Sequence, residues 1–452
     1  MKSCDSIDKF LKEHPQVEKF EILLHDLNGV QRGKWLPRSK IKSLFEGKVK
    51  MPMSSCSLDC WGRDLEELVI ETGDADGICE PHEHTLCIVP WAKQKTGQVI
   101  ISMRDESGLN DYQGDCRAVL KKIIEEYQAL ALNPVIACEM EFHLVEIDKD
   151  KFGRLVHTQK TLEGNTAIGG QVYGITEMQE AESLMSDIMQ AAETQDLPIE
   201  ALVTEFSPSQ FEINLRHQSS AITACDQSSM LKRLIKAIAL KHGSRATFMA
   251  KPFDDQVGNG MHMHLSIVNE KGENIFNNNT PLGSEFLKNA VAGCLNYMKE
   301  GMAIFAPNIN SYRRFAPGCY APLSPSWGYE NRTTALRIPA GDNESIRIEH
   351  RVAGADANPY LVASVILASA LEGIKKKQKP LAPMTGEDSS SEEKLPRFWE
   401  ESLNHFINSE FIENYLGKEL QLNYYRCKKQ EKFEFDTRAV SYTHLRAHET
   451  LR

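Results

Sequence analysis

The chain has 452 residues, of which 41% are hydrophobic and 25% charged, and its formal net charge is −11. The length predicts two or more domains, and the proportions are typical of a soluble globular protein. The negative charge argues against a nucleic-acid partner. We also expect no membrane partner, because the longest apolar run, residues 361–371, is too short to span a bilayer. No hydrophobic stretch follows Met1, so we expect no secretory signal and a cytoplasmic location.

The eleven cysteines are an odd number without regular spacing. Cys56 and Cys60 do not form a Cys-x-x-Cys pair, so we expect reduced thiols rather than a disulfide framework or a zinc site. Residues 440–452 show no hydrophobic periodicity and no link to the preceding sequence. We interpret them as a non-native tail that resembles translated adapter sequence.

The first hundred residues predict a small sheet-rich unit. Its strand-like segments are residues 19–26, 30–36, 85–90 and 98–103. Asn28-Gly29 is a strong hairpin signal between the first two, whereas residues 51–62 carry few cues for regular structure. The polar residues 104–114 are typical of a domain boundary.

The remainder mixes helices and strands. Helical periodicity appears in residues 116–132, 177–195, 221–242, 287–305 and 358–377. The last of these begins at Asn358-Pro359, an N-cap followed by proline at the first helical position. Residues 380–396 predict a polar loop, and a final helical region follows it.

Residues 135–145 alternate with the two-residue period of a half-buried strand. One face is uniformly apolar and should belong to the core: Ile136, Cys138, Met140, Phe142 and Leu144. The other face carries Glu139, Glu141 and His143, with the two carboxylates about 7 Å apart at a rise of roughly 3.3 Å per residue. Each carboxylate could hold its own cation, although the segment alone is more typical of an ordinary strand with a solvated face.

Three further segments repeat this alternation, in residues 210–215, 260–267 and 347–352. Their polar faces carry Glu212 and Asn214, then His262, His264 and Ser266, then Arg347, Glu349 and Arg351. Glu205 precedes Glu212 by seven residues, across a Ser-Pro turn. If these strands are neighbours in one curved sheet, their polar faces converge on one cavity that contains five glutamates and two histidines.

Such a cluster needs cations, because like charges a few ångströms apart repel strongly at reduced dielectric. Carboxylates with one or two imidazoles suit Mg²⁺ or Mn²⁺ better than a thiolate-preferring metal. Nearby arginines favour bidentate capture of carboxylate or phosphate: Arg313, Arg314, Arg332, Arg337, Arg347 and Arg351. Together these groups predict phosphoryl transfer to an anionic substrate. No Walker or Gly-x-Gly-x-x-Gly segment is present, so we expect neither a P-loop nor a Rossmann site.

An ordered set of motifs resembles those of the glutamine synthetase family: Glu139-Met-Glu141, Glu205 with Glu212, Lys251-Pro252, Gly258-Asn-Gly-Met-His-Met-His264, Asn310-Ser-Tyr-Arg-Arg314, Asn331-Arg332, Arg337-Ile-Pro339 and Arg347-Ile-Glu-His-Arg351. The resemblance implies an α+β fold, with an N-terminal β-grasp domain at residues 16–106 and a catalytic domain with a curved antiparallel sheet at residues 112–439. It also implies a homo-oligomer, typically a dodecamer of two hexameric rings, with each active site between neighbouring subunits.

The resemblance implies two or more Mg²⁺ or Mn²⁺ ions per active site, with ATP as co-substrate. The metal nearer the amino-acid substrate would be held by Glu141, Glu205 and Glu212. The metal that bridges the ATP phosphates would be held by Glu139, His262 and Glu349.

Other residues would bind the substrates. Gly258 would lie in a loop that contacts L-glutamate, Arg314 and Arg351 would bind its carboxylates, and Arg332 would face the transferred phosphate. The nucleotide would contact Glu200, His264, Ser266, Arg337 and Arg347.

The chain departs from the family pattern at the ammonium site. Glutamine synthetases proper have a Pro-Gly-x-Glu segment whose glutamate helps deprotonate ammonium, and here Tyr320 takes that catalytic position. Residues 51–62 also lack the Asp-Gly-Ser-Ser run that supplies an ammonium-binding aspartate. Ammonium is a small hydrated cation that needs negative charge to replace its water. The Tyr320 ring and the cysteine before it therefore favour a larger amine. Residues 317–327 and 351–359 look closest to the γ-glutamylpolyamine synthetase branch.

We therefore expect a ligase that joins the γ-carboxyl of L-glutamate to an amine, such as putrescine or a monoamine, through a γ-glutamyl phosphate. One alternative is an ammonia-using glutamine synthetase, which the two missing carboxylates disfavour. Another is a non-catalytic structural relative, because a fold does not fix a function. Such relatives usually lose metal ligands, and all six are present here.

Overall fold

The computed structural model describes residues 5–158, 164, 169–316, 318–386 and 393–437. Two β-sheets and two hydrophobic clusters organise this part of the chain. The segment interpreted as a non-native tail lies outside the described residues. No described helix combines the length and apolarity needed to cross a membrane.

The first part of the chain contains α1 (Asp5–Glu13), β1 (Lys19–His25), β2 (Gln31–Pro37), α2 (Ile41–Phe45), β3 (Lys50–Pro52), α3 (Glu66–Thr72), β4 (Asp76–Pro81), β5 (Cys87–Ile88) and β6 (Thr96–Arg104). Its six strands form one sheet in the order β2-β1-β6-β4-β3, with β5 beside β6. β1 pairs antiparallel with β2 and parallel with β6, as expected for a β-grasp arrangement.

The predicted hairpin at Asn28-Gly29 is confirmed. The Asp26 carboxylate holds its turn by accepting the backbone N–H groups of Asn28 and Val30, both at 2.9 Å. The strand predicted at residues 85–90 is wrong over most of its length. The Thr85 hydroxyl accepts the backbone N–H of Ile100 at 2.9 Å, so a side chain occupies a donor that a longer strand would have used.

The larger part of the chain contains α4 (Cys116–Gln128), β7 (Leu132–Glu146), α5 (Ile175–Glu180), α6 (Glu182–Thr194), β8 (Ile199–Thr204), β9 (Gln210–Leu215), α7 (Ala221–Lys241), β10 (Ser244–Thr247), β11 (Met261–Asn269), α8 (Glu285–Asn296), α9 (Met298–Phe305), β12 (Trp327–Tyr329), β13 (Leu336–Ile338), β14 (Ile348–His350), α10 (Pro359–Lys375), α11 (Trp399–Ile407), α12 (Glu410–Leu416) and α13 (Lys418–Thr437). The strands form one curved sheet in the order β12-β13-β14-β11-β7-β9-β8, with β10 beside β7. Helices α4 and α7 pack on β7. They cover its predicted apolar face, whose five side chains are all buried.

Helix boundaries differ from the sequence prediction where the chain turns. The helix predicted at residues 116–132 ends at Gln128, and Ala131 adopts a φ of 58° before β7 begins. The single helix predicted at residues 287–305 is two helices, α8 and α9, that meet at Tyr297. The Tyr297 ring stacks on Phe411 at 4.0 Å, so tertiary packing sets this break.

Helices α8 and α10 approach each other closely at two glycines. A Cβ on Gly293 would lie 2.0 Å from the Ser369 carbonyl oxygen, and one on Gly373 would lie 2.1 Å from the Asn289 carbonyl oxygen. These contacts are with backbone, which cannot rotate away. The two glycines therefore allow the helices to pack without a side chain between them.

We predict that Gly293→Ala lowers the thermal unfolding midpoint of the protein. Alanine gains about 1 kcal/mol of helix propensity over glycine, but overpacking against backbone costs roughly 1–3 kcal/mol or more, so the clash should prevail. Gly169→Ala is the control, because a Cβ there meets nothing within 4 Å. An unchanged or higher midpoint for Gly293→Ala would contradict the close helix contact.

Candidate active site

Backbone pairing brings the acidic and imidazole side chains together. β7 lies between β11 and β9, so Glu139 is opposite His262 and Glu141 is opposite Glu212. On the other side of β11, His264 is opposite Glu349 of β14. Side chains directly opposite in an antiparallel ladder lie about 5 Å apart. The register alone therefore assembles most of the predicted cluster.

Glu139 is the centre of one half of this cluster. Its carboxylate accepts hydrogen bonds from His264 Nε2 at 2.8 Å, His262 Nδ1 at 3.2 Å and Asn214 Nδ2 at 3.4 Å. Arg347 Nε donates to His264 Nδ1 at 3.2 Å, which leaves the proton of that imidazole on the nitrogen facing Glu139. Burial alone would raise the pKa of Glu139, but the bonds from the two histidines hold it well below its usual range.

The other half contains three carboxylates, Glu141, Glu205 and Glu212, whose negative charge is balanced less by neighbouring donors. Glu141 accepts the Gly260 N–H at 2.8 Å and Gln210 Nε2 at 3.4 Å. Burial, followed by the charge of Glu141, raises the pKa of Glu205 to about 7. Burial and the charges of Glu139 and Glu141 raise the pKa of Glu212 to about 10. These carboxyls resist ionisation because each would add charge to an acidic, partly buried site.

Two sets of donor atoms lie close enough to hold a metal, with all atoms of a set within 4.8 Å of one another. One set is Glu139, His264 and Glu349, and the other is Glu139, Glu212 and His262. This grouping differs from the division that the family resemblance implies. It includes neither Glu141 nor Glu205, and it includes His264, whose two ring nitrogens already contact Arg347 and Glu139. Carboxylate and imidazole donors nevertheless fit Mg²⁺ or Mn²⁺.

Glu349 binds two arginines. Arg337 donates to it at 2.9 Å, and Arg351 donates to its other oxygen. Burial would raise the pKa of Glu349, but the charge of Arg351 holds it below its usual range. Arg337 Nε and Arg351 Nε are buried without a hydrogen-bond acceptor in the described part of the chain. Both side chains therefore keep a donor that an anion could satisfy.

Arg314 lies beside the glycines of the predicted glutamate loop. It is buried, donates to the Val352 carbonyl at 3.1 Å, and its pKa is lowered by burial. A Cβ on Gly258 would lie 2.6 Å from Arg314 Cγ, and one on Gly260 would lie 3.2 Å from Arg314 Nη2 and 3.3 Å from Glu141 Oε1. A side chain at either glycine would crowd Arg314, so the two glycines allow the guanidinium group to lie close to this loop and to Glu141.

A cavity of about 1470 Å³ adjoins the Glu139 half of the cluster. Four of the five residues predicted to contact ATP line it: Glu200, His264, Ser266 and Arg347. The fifth, Arg337, is absent from its walls and lies between Glu349 and Glu330. The cavity is large enough for a nucleotide-sized ligand.

Tyr320 forms an aromatic pair that the sequence did not predict. Its ring stacks on Phe206 with centroids 4.8 Å apart and an interplanar angle of 16°. Tyr320 is 60% exposed and Phe206 46% exposed, so both rings are accessible. Phe206 follows Glu205 directly. The positive charge of the exposed Arg332 acts to lower the pKa of the Glu205 carboxyl. The adjoining Pro317 lies outside the described residues.

Sequence reasoning also missed the residues that hold the Gly258 loop. Gln210 Nε2 donates to the Gly258 carbonyl at 3.0 Å, and Asn259 Nδ2 donates to the Met249 carbonyl at 2.8 Å. His143 Nδ1 lies 2.8 Å from Asn259 Oδ1. The sequence signal that could have found Gln210 was its place on the polar face of β9, where it is opposite His143 of β7.

The loop at residues 51–62 contains one aspartate, Asp59, but its carboxylate has structural partners. It accepts the N–H of Trp61 at 2.9 Å, Arg63 Nε at 2.8 Å and Gln430 Nε2 at 2.9 Å. The residue is fully buried. Asp59 therefore does not replace the ammonium-binding aspartate that the sequence lacks.

The family model described as glutamine synthetase, catalytic domain, matches residues 113–446. The gamma-glutamylputrescine synthetase PuuA of Escherichia coli (strain K12) is 38% identical over 434 residues, which cover 95% of this chain and 91% of that protein. A glutamate–isopropylamine ligase of a Pseudomonas species is 30% identical over 94% of both chains.

A solved structure titled as a GmaS/ADP complex matches with a TM-score of 0.85 and 25% identity, covering 98% of both chains. This likeness confirms the expected α+β fold with its curved sheet. The match to the catalytic-domain model and the identity to relatives over most of their length show the same relationship in the sequence. The chain belongs to the glutamine synthetase family.

Proposed function

We propose that the protein is an ATP-dependent ligase that forms an amide between the γ-carboxyl of L-glutamate and an organic amine. The observation that carries this proposal is the accessible Phe206–Tyr320 pair beside Glu205, in which Tyr320 takes the place that the family resemblance gives to the ammonium-deprotonating glutamate. Similarity to a γ-glutamylputrescine synthetase and a glutamate–isopropylamine ligase supports it.

The proposed reaction has two steps. A γ-carboxylate oxygen of glutamate attacks the γ-phosphorus of ATP, and ADP leaves to give γ-glutamyl phosphate. The amine nitrogen then attacks the acyl carbon, phosphate leaves, and the nitrogen loses a proton. Two or more divalent cations held by the six predicted ligands would neutralise charge on the phosphate oxygens.

The arginines would orient the two anionic substrates. Arg314 and Arg351 would bind the carboxylates of glutamate, since Arg351 keeps a spare donor and Arg314 packs directly against the Gly258 loop. Arg332 would face the phosphoryl group, because its charge already reaches Glu205. Guanidinium groups suit these roles because they bind oxyanions through two parallel donors.

The aromatic pair favours an amine with a carbon chain over ammonium. Apolar contact stabilises a bound methylene by up to about 0.8 kcal/mol, whereas ammonium gains nothing from an aromatic wall except a cation–π contact. Both carboxylates of the ammonium site are missing from the sequence, and Asp59 is committed elsewhere. The expected dodecamer and its shared active sites stay predictions from the family resemblance, and the cytoplasmic location stays a prediction from the sequence.

The first test is phosphate release from purified protein with ATP, Mg²⁺ and glutamate, across ammonium, methylamine, n-butylamine and putrescine. We expect the highest kcat/KM with an amine that carries a carbon chain. Ammonium turnover equal to that of the best amine would favour the glutamine synthetase alternative. No turnover with any nucleophile would favour the non-catalytic alternative.

A second prediction concerns Phe206→Ala. Loss of one aromatic wall should raise KM for n-butylamine by roughly three- to tenfold, with less effect on methylamine, because fewer methylenes lose contact. Phe433→Ala, which removes an exposed ring on α13, serves as the control. An equal loss for both amines would show that Phe206 supports the fold of the site rather than the amine.

A third prediction concerns the metal ligands. Glu212→Ala should lower kcat by more than about 100-fold, since even partners of a metal ligand cost roughly 10- to 100-fold when removed. Stabilisation of the protein by Mn²⁺ in thermal unfolding should also be lost, while the oligomer that forms in the wild type still assembles. Glu193→Gln, on an exposed site of α6, is the control. Retained activity would mean that Glu212 is not a metal ligand.

A further inference from the structure

A second cavity of about 430 Å³ lies between the β1–β2 turn, helix α7 and strand β10. The described residues that line it include none of those assigned above to metal, ATP or glutamate. Its lining includes residues from the first sheet and from the second, with the aromatic residues Trp91 and Phe248 among them. The cavity is thus separate from the candidate active site.

Positive charge exceeds negative charge in this cavity. The cationic lining residues are Lys149, Lys232, Arg233, Lys236 and Arg245, and the acidic ones are Glu146 and Asp356. Part of the charge is already paired, because Arg233 forms an ion pair with Glu21. Asp356 in turn accepts hydrogen bonds from Ser311 at 2.6 Å and Asn308 at 2.9 Å.

Two partly buried lysines on α7 contribute positive charge and form no ion pair with a carboxylate of the described residues. Lys232 and Lys236 are one helical turn apart, and their ammonium groups lie 5.7 and 5.6 Å from the Phe248 ring centre. Lys232 donates to the Ala357 carbonyl at 3.0 Å, whereas Lys236 has no hydrogen-bond acceptor in the described part of the chain. Burial lowers the pKa of both, that of Lys232 to about 8.

Two like charges at this spacing repel, and their partial burial adds a desolvation cost. An anion bound by both ammonium groups would cancel the repulsion and offset the desolvation cost through charge-assisted hydrogen bonds. The ring of Phe248 and the side chains of Trp91 and Leu240 also give the cavity an apolar wall. That wall could contact a short carbon skeleton attached to the anionic group.

We propose that this cavity binds a small oxyanion with two negative charges, held by Lys232 and Lys236. A phosphate and a short dicarboxylate share this chemistry. The proposal does not depend on the ligase activity, because it concerns binding to a separate site.

The test compares thermal unfolding of the full-length protein in inorganic phosphate, succinate and acetate at equal ionic strength. Phosphate or succinate should raise the wild-type midpoint more than acetate does. Lys236→Gln should lose part of this increment, while Lys241→Gln, an exposed position on the same helix, should keep all of it. The anion with the larger increment lost in Lys236→Gln identifies the preferred group.

The candidate active site also binds oxyanions in this scheme, but its contribution is common to the wild type and Lys236→Gln. Calorimetric titration with the preferred anion separates the two sites. We expect Lys232→Gln/Lys236→Gln to lose one binding site per subunit, or to weaken it by roughly tenfold or more. Equal increments and equal stoichiometry in the wild type and the lysine variants would overturn the proposal.

Discussion

The candidate active site depends on the fixed pairing of β7 with its neighbours β9 and β11. A slip of one residue would turn Glu139 and Glu141 into the core and bring Met140 into the site. Met140 is 1% exposed and packs with the other apolar side chains of its face under α4 and α7. Burial of that face fixes the register, and the register then forces the carboxylates together. Core packing thus offsets a repulsion that the acidic residues alone would relieve by separating.

The repulsion is not spread evenly over the cluster. Glu139 is compensated by two imidazoles and Glu349 by two guanidinium groups, so both carboxyls have a pKa below the usual range. Glu205 and Glu212 lack comparable partners among the described residues, and each has a raised pKa. A divalent cation would therefore stabilise the Glu205–Glu212 half most, since protein groups already supply positive charge to the other half.

Period-two alternation predicted the strand faces of the site because burial on one side of a sheet leaves a strong sequence pattern. The same reasoning could not find contacts made by residues outside that pattern. Phe206 lies in a turn after β8, and its partner Tyr320 comes more than a hundred residues later with a φ of 55°. The break between α8 and α9 likewise follows from the stacking of Tyr297 on Phe411, a tertiary contact that local propensity does not contain. Likewise, strand order alone could not predict which donor atoms lie close enough to share a metal, because that depends on side-chain positions.

A change of nucleophile from ammonium to an organic amine needs no change in the metal cluster. The proposed phosphorylation of glutamate uses β7, β9, β11 and β14, whereas the proposed amine site involves the segment after β8 and the loop that carries Tyr320. These two sets of elements meet at Glu205, whose carboxyl is beside both Glu141 and Phe206. An altered turn and loop could therefore replace charge with apolar surface while the sheet kept its register. That separation explains how one fold can activate the same carboxylate for different amines.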